Sequence, residues 1–154
     1  MLSEKEIQEI NAELAHCATK QSISVEALNI VQRHRGWVSD EHLKDVARLL
    51  EMTPDELDAV ATFYSFIFRR PVGRHVILVC DSISCWVMGY NPLLAVIKKR
   101  LGIDFGETTE DKRFTLLPIS CLGACDRAPA MMVGDDLYGP VTTEMMEEIL
   151  GKYR

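Results

Sequence analysis

The sequence contains no uninterrupted apolar stretch of about 18 residues, the length that a membrane-spanning helix requires. It has no concentrated basic stripe either. Lys98-Lys99-Arg100 is the longest basic run, and 23 Asp and Glu against 17 Lys and Arg leave a net charge of -6. An acidic chain without such a stripe draws in neither nucleic acid nor an anionic membrane surface, so no nucleic-acid partner and no direct membrane insertion are expected. The start, Met1-Leu2-Ser3-Glu4-Lys5-Glu6, lacks a basic region followed by an apolar one, which makes the cytosol the expected compartment. There is no C-x-x-C, the signature of a disulfide oxidoreductase, and no internal repeat or low-complexity segment. Aromatic residues are scarce at 7%, so a local concentration of them carries information.

What is present is a balance of 47% apolar and 26% charged residues, that of a soluble globular chain, and five cysteines. A chain of this length buries roughly two-thirds of its unfolded surface and needs no disulfide to fold. In a reducing compartment, paired cysteines point to metal ligation or redox chemistry rather than to staples.

Helical periodicity dominates residues 1–70. Ile7, Ile10, Leu14 and Cys17 recur at helical spacing behind a capping box of Ser3 and Glu6, predicting a helix to about Lys20 with Cys17 on its apolar face. Ser24 is the expected cap of a second helix carrying Val25, Leu28 and Val31, which Gly36 ends. Ser39 is the expected cap of a third, with Leu43, Val46, Ala47 and Leu50 inward. Thr53-Pro54-Asp55-Glu56 combines a cap, a first-turn proline and a box glutamate, and opens a fourth helix through Leu57, Val60, Ala61 and Tyr64. After Phe68 the charged, turn-forming stretch Arg69-Arg70-Pro71-Val72-Gly73 marks a boundary, giving a helical region of residues 1–70 and a second domain of residues 71–154.

Beyond the boundary, strands alternate with helices. Val76–Val79 reads as a strand, Asn91-Pro92 opens a helix that Gly102 closes, and Phe114–Ile119 reads as a second strand. Lys98, Lys99 and Arg100 fall in that helix's last turn, where cations complement the negative end of its dipole. Ala130–Val133 is a third strand, Leu137–Pro140 a short fourth, and Thr143 the expected cap of a final helix over Glu144–Tyr153. The predicted class is α+β, a four-helix region followed by an α/β domain with a small sheet.

Four cysteines hang from two of those strand ends, Cys80 and Cys85 after the first strand and Cys121 and Cys125 after the second. C-x4-C occurs in binuclear iron-sulfur sites, whereas C-x3-C departs from the plant-type spacing, so spacing alone leaves a [2Fe-2S] cluster and a structural zinc site both open. His16, His34, His42 and His75 all lie outside the cysteine loops, which disfavours a histidine-ligated cluster. Asp81 and Asp126 flank the ligand candidates, but with no nucleophile or phosphate loop beside them they read as acidic turn residues.

Taken in order, Gly73-Arg74-His75-Val76, Cys80-Asp81-Ser82-Ile83-Ser84-Cys85, Gly106-Glu107-Thr108-Thr109, Arg113-Phe114-Thr115-Leu116 and Cys121-Leu122-Gly123-Ala124-Cys125-Asp126-Arg127-Ala128-Pro129 resemble the NuoE family, the thioredoxin-like [2Fe-2S] subunits of bacterial respiratory complex I, NADH:quinone oxidoreductase. Ala59–Phe68 resembles the end of that family's helical region. The resemblance covers nearly the whole chain. It implies a thioredoxin-like second domain, one binuclear cluster held by Cys80, Cys85, Cys121 and Cys125, and electron transfer with no substrate chemistry on this chain. It further implies a flavin- and NADH-binding (NuoF-like) partner, which carries the FMN and NADH, other peripheral-arm subunits, and a cytoplasmic position at the inner face of the membrane through the complex. Such folds place a cis-proline before the third strand, here Pro129. Trp86 departs from the smaller or polar residue of the family pattern; beside Cys85 it reads equally as a water-excluding cover or as an aromatic anchor in the sheet. Subunits of NAD-dependent formate dehydrogenases and NAD-reducing hydrogenases share the resemblance, and a zinc-stabilised adaptor is the reading from a different class.

With such a cluster the chain is a low-potential one-electron carrier, plant-type centres lying near about -400 mV. Gly123 and Gly89 let the backbone approach the sulfurs, and Arg127 is the nearest cation in sequence to a ligand. Met131 and Met132 are expected to fill strand positions on opposite faces. The run Phe63-Tyr64-Ser65-Phe66-Ile67-Phe68 places four aromatics in six residues and marks the helical region as a docking module for the flavin subunit.

Overall fold

Ser3 opens the first helix, α1 (Glu4–Leu14), with the expected reciprocal cap: the Glu6 N–H donates to its hydroxyl at 3.3 Å, and its own N–H donates to the Glu6 carboxylate at 2.6 Å. The structure, a computed structural model, describes residues 1–153. The helix stops at Leu14, earlier than its periodicity suggests, because beyond it only the small Cys17 and Ala18 continue the apolar stripe before the polar run Thr19–Ser22. Cys17 therefore lies beyond α1 and is exposed.

A short 3-10 turn, Lys20–Ile23, leads straight into α2 (Ser24–Arg35), so Ser24 is the first helical residue and not the cap. Gly36, at φ 81°, closes α2 in the left-handed region that a residue without Cβ adopts at little cost. Ser39 does cap α3 (Asp40–Leu50), accepting from the His42 N–H at 3.2 Å. Thr53 and Glu56 form the second capping box, at α4 (Pro54–Phe63). The apolar faces of these helices meet in one core containing Ile10, Leu28, Val31, Val46, Leu50 and Leu57, all buried.

α4 ends at Phe63, because Tyr64 turns to extended backbone. The segment that follows is held on α2 by one side chain: Gln32 donates to the Phe66 carbonyl at 2.8 Å and accepts from the Phe68 N–H at 2.6 Å. Ile67 drops into the core while Phe63, Tyr64 and Phe66 remain exposed. The first compact unit closes at Pro71.

The second unit, from Val72 onward, is built on a four-stranded mixed sheet of order β2-β1-β3-β4. Its strands are β1 (His75–Cys80), β2 (Phe114–Ile119), β3 (Met131–Val133) and β4 (Asp136–Tyr138). β1 runs parallel to β2 and antiparallel to β3. The connection from β1 to β2 carries two helices, α5 (Ile83–Val87) and α6 (Tyr90–Leu101), the latter closed by left-handed Gly102. α7 (Met146–Gly151) follows a 3-10 turn at Thr143–Met145, so Thr143 is not its cap. Strand alternation puts Ile77 and Val79 on one face, where they pack with Leu93 and Ile97 of α6 and Met146 and Ile149 of α7. Met131 is fully buried and Met132 partly so, as the same alternation requires.

The lysine and arginine run has ordinary partners. Lys98 pairs with Asp104 at 2.6 Å, and Arg100 pairs with Glu147. Among the described residues no helix is long and apolar enough to cross a membrane. The α+β class read from the sequence, with its helical first region and small-sheet second domain, is borne out.

Candidate metal centre

The parallel ladder between β1 and β2 pairs Cys80 with Ile119, and the Asp81 N–H donates to the Ile119 carbonyl at 2.8 Å. Both cysteine loops consequently leave the sheet from the same end of neighbouring strands. The C-terminal ends of parallel strands are where open α/β sheets place their ligands, since no strand continues there to cover the site. The third wall is the segment before β3, because the Cys80 N–H donates to the Ala130 carbonyl at 3.1 Å.

Cys80 sits one residue out of phase with Ile77 and Val79, so the alternation keeps it out of the α6–α7 core. It joins a small separate cluster with Cys85, Ala124, Ala128 and Ala130. The alanines matter sterically, since larger side chains there would separate the two loops. The α5 helix that carries Cys85 was not legible in the sequence: at five residues it is too short for a period to show, and Ser82 before it makes no capping bond. Its role is to turn Cys85 inward, and that thiol is fully buried.

All five cysteines are free thiols. Burial pushes the Cys85 thiol above its ordinary value, and the hydrogen bond and charge of Cys80, together with the charge of Cys125, push the same way; the Ala130 N–H, donating to the Cys85 sulfur, opposes them. Cys85 thus has sulfur neighbours from both loops. Cys121 and Cys125 are exposed, and the Cys121 sulfur accepts from the Gly123 N–H at 3.3 Å. Gly123 has φ 70°, and nothing stands within 4 Å of where a Cβ would be, so its left-handed backbone is what the position requires. Among the described residues no three Cys, His, Asp or Glu side chains already form a closed metal cage. The structure brings Cys80 and Cys85 into direct contact, sets Cys125 beside them, and leaves Cys121 at the outer lip.

The donor set fits a thiophilic metal centre. Four reduced sulfurs arise from two loops at one sheet end, the interior pair is lined by small apolar residues, and two backbone N–H groups point at sulfur. Other sequence candidates have separate places. Arg127 pairs with Asp126 at 3.5 Å on the 3-10 turn Cys125–Arg127. Gly139 presses its backbone on that turn, and a Cβ there would collide with the Arg127 carbonyl. The Ala128–Pro129 bond is cis. Trp86 is neither a buried cover nor a sheet anchor; it projects from α5 and is largely exposed.

The sequence pattern of the thioredoxin-like [2Fe-2S] ferredoxins matches residues 8–154. The E-type subunit of the NADH-quinone oxidoreductase of Pseudomonas aeruginosa is 46% identical over 153 residues, which span 99% of this chain and 92% of that protein. Its namesake from Escherichia coli K12 is also 46% identical, over the same shares of both chains. Among solved structures, an NAD+-reducing [NiFe]-hydrogenase in the air-oxidized state superposes with a TM-score of 0.71 at 23% identity, covering 84% of this chain and 22% of the other, a likeness of fold alone.

Proposed function

The chain belongs to the thioredoxin-like [2Fe-2S] ferredoxin family, and within it we propose that this protein is the E-type electron-transfer subunit of an NADH-quinone oxidoreductase. Near-full-length identity of 46% to subunits of that name supports this over an NAD-reducing hydrogenase, whose likeness lies in the fold. The observation that carries the site is the common exit of the two cysteine loops beside the Cys80–Ile119 pair. One [2Fe-2S] cluster is the cofactor, with Cys80 and Cys85 as ligands from the first loop and Cys121 and Cys125 from the second.

When bound, such a cluster supplies one-electron storage and release at low potential. The chain's own residues bear on that in three ways. Thiolates are the ligands, so loading a metal would have to displace protons from the cysteines, and burial, which pushes the Cys85 thiol above its ordinary value, favours the protonated form in the competition. The Ala130 and Gly123 N–H groups donate to sulfur and stabilise its negative charge without bringing in a competing cation. Ala124, Ala128 and Ala130 exclude water from the inner pair, which strengthens those interactions.

Among the described residues no group is placed for bond-making chemistry; the electron's source and destination lie on partners. The flavin- and NADH-binding subunit is the immediate one, with the FMN and NADH on that subunit. The helical unit docks on it through Phe63, Tyr64 and Phe66, large apolar side chains that its own core leaves exposed. Attachment through such partners holds the chain at the inner face of the membrane. The test is a visible and EPR spectrum of the purified chain before and after dithionite, with iron and acid-labile sulfide assays. A coloured protein with a reduced-state EPR signal and about two irons per chain is expected, and a colourless zinc protein overturns the reading.

A further inference from the structure

Two backbone contacts join the segment after β4 to the second cysteine loop. Gly139 lies against the 3-10 turn Cys125–Arg127, where a Cβ would overlap the Arg127 carbonyl oxygen and stand 2.9 Å from the Arg127 Cγ. Two residues on, the Val141 N–H donates to the Pro129 carbonyl at 2.9 Å. Gly139 is not among the glycines with positive φ, so its place calls for the missing side chain and not for a left-handed backbone. Residues 139–141 thus meet the loop on either side of Ala128, which is buried with Cys80 and Cys85 in the small cluster at the sheet end.

The two sides of this contact are held unequally. β4 is laddered to β3 through the pairs Met131–Tyr138 and Met132–Leu137. The Tyr138 hydroxyl donates to that of Tyr153 at 2.7 Å, which in turn donates to Asp136 at 2.6 Å. Val141 is buried in the α6–α7 core. The turn has one backbone bond of its own, from the Arg127 N–H to the Ala124 carbonyl at 3.1 Å, and the ion pair of Arg127 with Asp126 stays within it. A group forced between the two displaces the turn, because that side has fewer bonds to resist.

We infer that residues 139–141 are a strap that positions Cys125: the close backbone approach at Gly139 sets how far the turn closes toward the inner sulfurs, and Val141 holds the strap down. The inference rests on the proposed function and adds two positioning residues that supply no ligand atom. Cys125 opens the turn and Arg127 ends it, so a displacement of the Arg127 carbonyl passes to the sulfur across two residues. Cys125 is itself exposed, and no burial fixes it. Its place comes from the backbone of the turn, and the turn takes its place from the strap, as groups behind metal ligands orient them elsewhere.

The experiment compares Gly139→Ala, Val141→Ala and Gly73→Ala with wild type in the full-length, iron-loaded chain. Gly73→Ala is the structural comparison, since its Cβ also meets backbone, of Lys112 and Phe114, at the opposite end of the β1–β2 ladder. Gly139→Ala is expected to release iron to a chelator at least about tenfold faster than wild type, the scale on which groups behind metal ligands act, and to alter the reduced-state EPR line shape. Amides of residues 125–127, followed by hydrogen exchange and mass spectrometry, are expected to exchange faster in the same variant. Val141→Ala should move all three readouts in the same direction by a smaller factor, and it is decisive should Gly139→Ala fail to fold: wild-type values in it then overturn the inference. Gly73→Ala should unfold at a lower temperature with wild-type release, line shape and exchange. Wild-type values in a folded Gly139→Ala, or equal acceleration in Gly73→Ala, overturn the inference and leave the functional reading standing. A wild-type chain that takes up no iron and sulfide overturns both.

Discussion

Cys80 lies opposite Ile119 in the parallel β1–β2 ladder, two residues before Cys121, so one register fixes both the end of the first cysteine loop and the start of the second. A shift of that register by one residue would reverse the alternation and turn Cys80 toward the α6–α7 core. The placement of Cys80 beside the second loop therefore rests on a single strand pairing.

Serine in place of Cys80, Cys85, Cys121 or Cys125 is expected to remove most of the iron and acid-labile sulfide. Cys17→Ser, in an exposed turn after α1, is expected to leave both at the wild-type level. Metal analysis after identical reconstitution checks this, and loss of colour in the Cys17 variant alone refutes the assignment.

Iron retention is expected to fall as the pH is lowered. Protons compete with metal for each thiolate, and burial makes the Cys85 sulfur a stronger competitor for its proton than a free thiol. Bleaching followed optically in the presence of an iron chelator should accelerate steadily toward acid, and a rate independent of pH would contradict it.

Glu6 is the clearest acid-sensitive group in the first unit. Its fully buried carboxylate accepts from the Arg35 Nε and Nη2, each at 2.6 Å, and from Ser3, and the Arg35 pair holds its pKa down to about 2 from an ordinary 4.5. Because the folded-state value is depressed, the stabilisation is fully present above pH 4.5 and is lost as the pH falls toward 2. Glu6→Gln should cost about 2–3 kcal/mol at neutral pH by leaving Arg35 without its charged partner, and should flatten the stability profile in that acid window. Urea unfolding at a series of pH values measures both effects.

At Gly73 a Cβ would lie 3.0 Å from the Lys112 carbonyl oxygen and 3.0 Å from the Phe114 carbonyl carbon, both backbone atoms that cannot swing aside. The same glycine's N–H donates to the buried Thr115 hydroxyl at 2.6 Å. Gly73→Ala should therefore destabilise the second unit by about 1–3 kcal/mol. Thermal unfolding with wild-type stability would show that the β2 backbone yields there.

Phe63→Ser together with Phe66→Ser should weaken binding to the flavin subunit by at least about tenfold, as removal of interface anchors does. Both side chains are exposed, so helix content by circular dichroism should stay at the wild-type value. Unchanged affinity would assign the aromatic run to internal structure only.

Much of this protein is determined by local sequence. Ser3 with Glu6 and Thr53 with Glu56 make their capping boxes because each partner is three residues away and needs no distant group. Gly36 and Gly102 end their helices for the same local reason, a left-handed backbone that costs a glycine little. The cysteine pairs are equally plain in the sequence, and their spacing and order carry the family resemblance. What tertiary structure decided depends on residues far apart. Ser24 and Thr143 look like caps, yet a 3-10 turn precedes each helix and removes the need for one. The aromatic run stays outside the core because Gln32 on α2 pins the carbonyl of Phe66 and the N–H of Phe68. The side of α5 that meets water, and so the exposure of Trp86 and the burial of Cys85, is set by the sheet end on which it lands, since five residues hold no period of their own. The Ala130 N–H reaches the Cys85 sulfur only because β3 returns antiparallel beside β1, a pairing across more than 40 residues that no local pattern specifies.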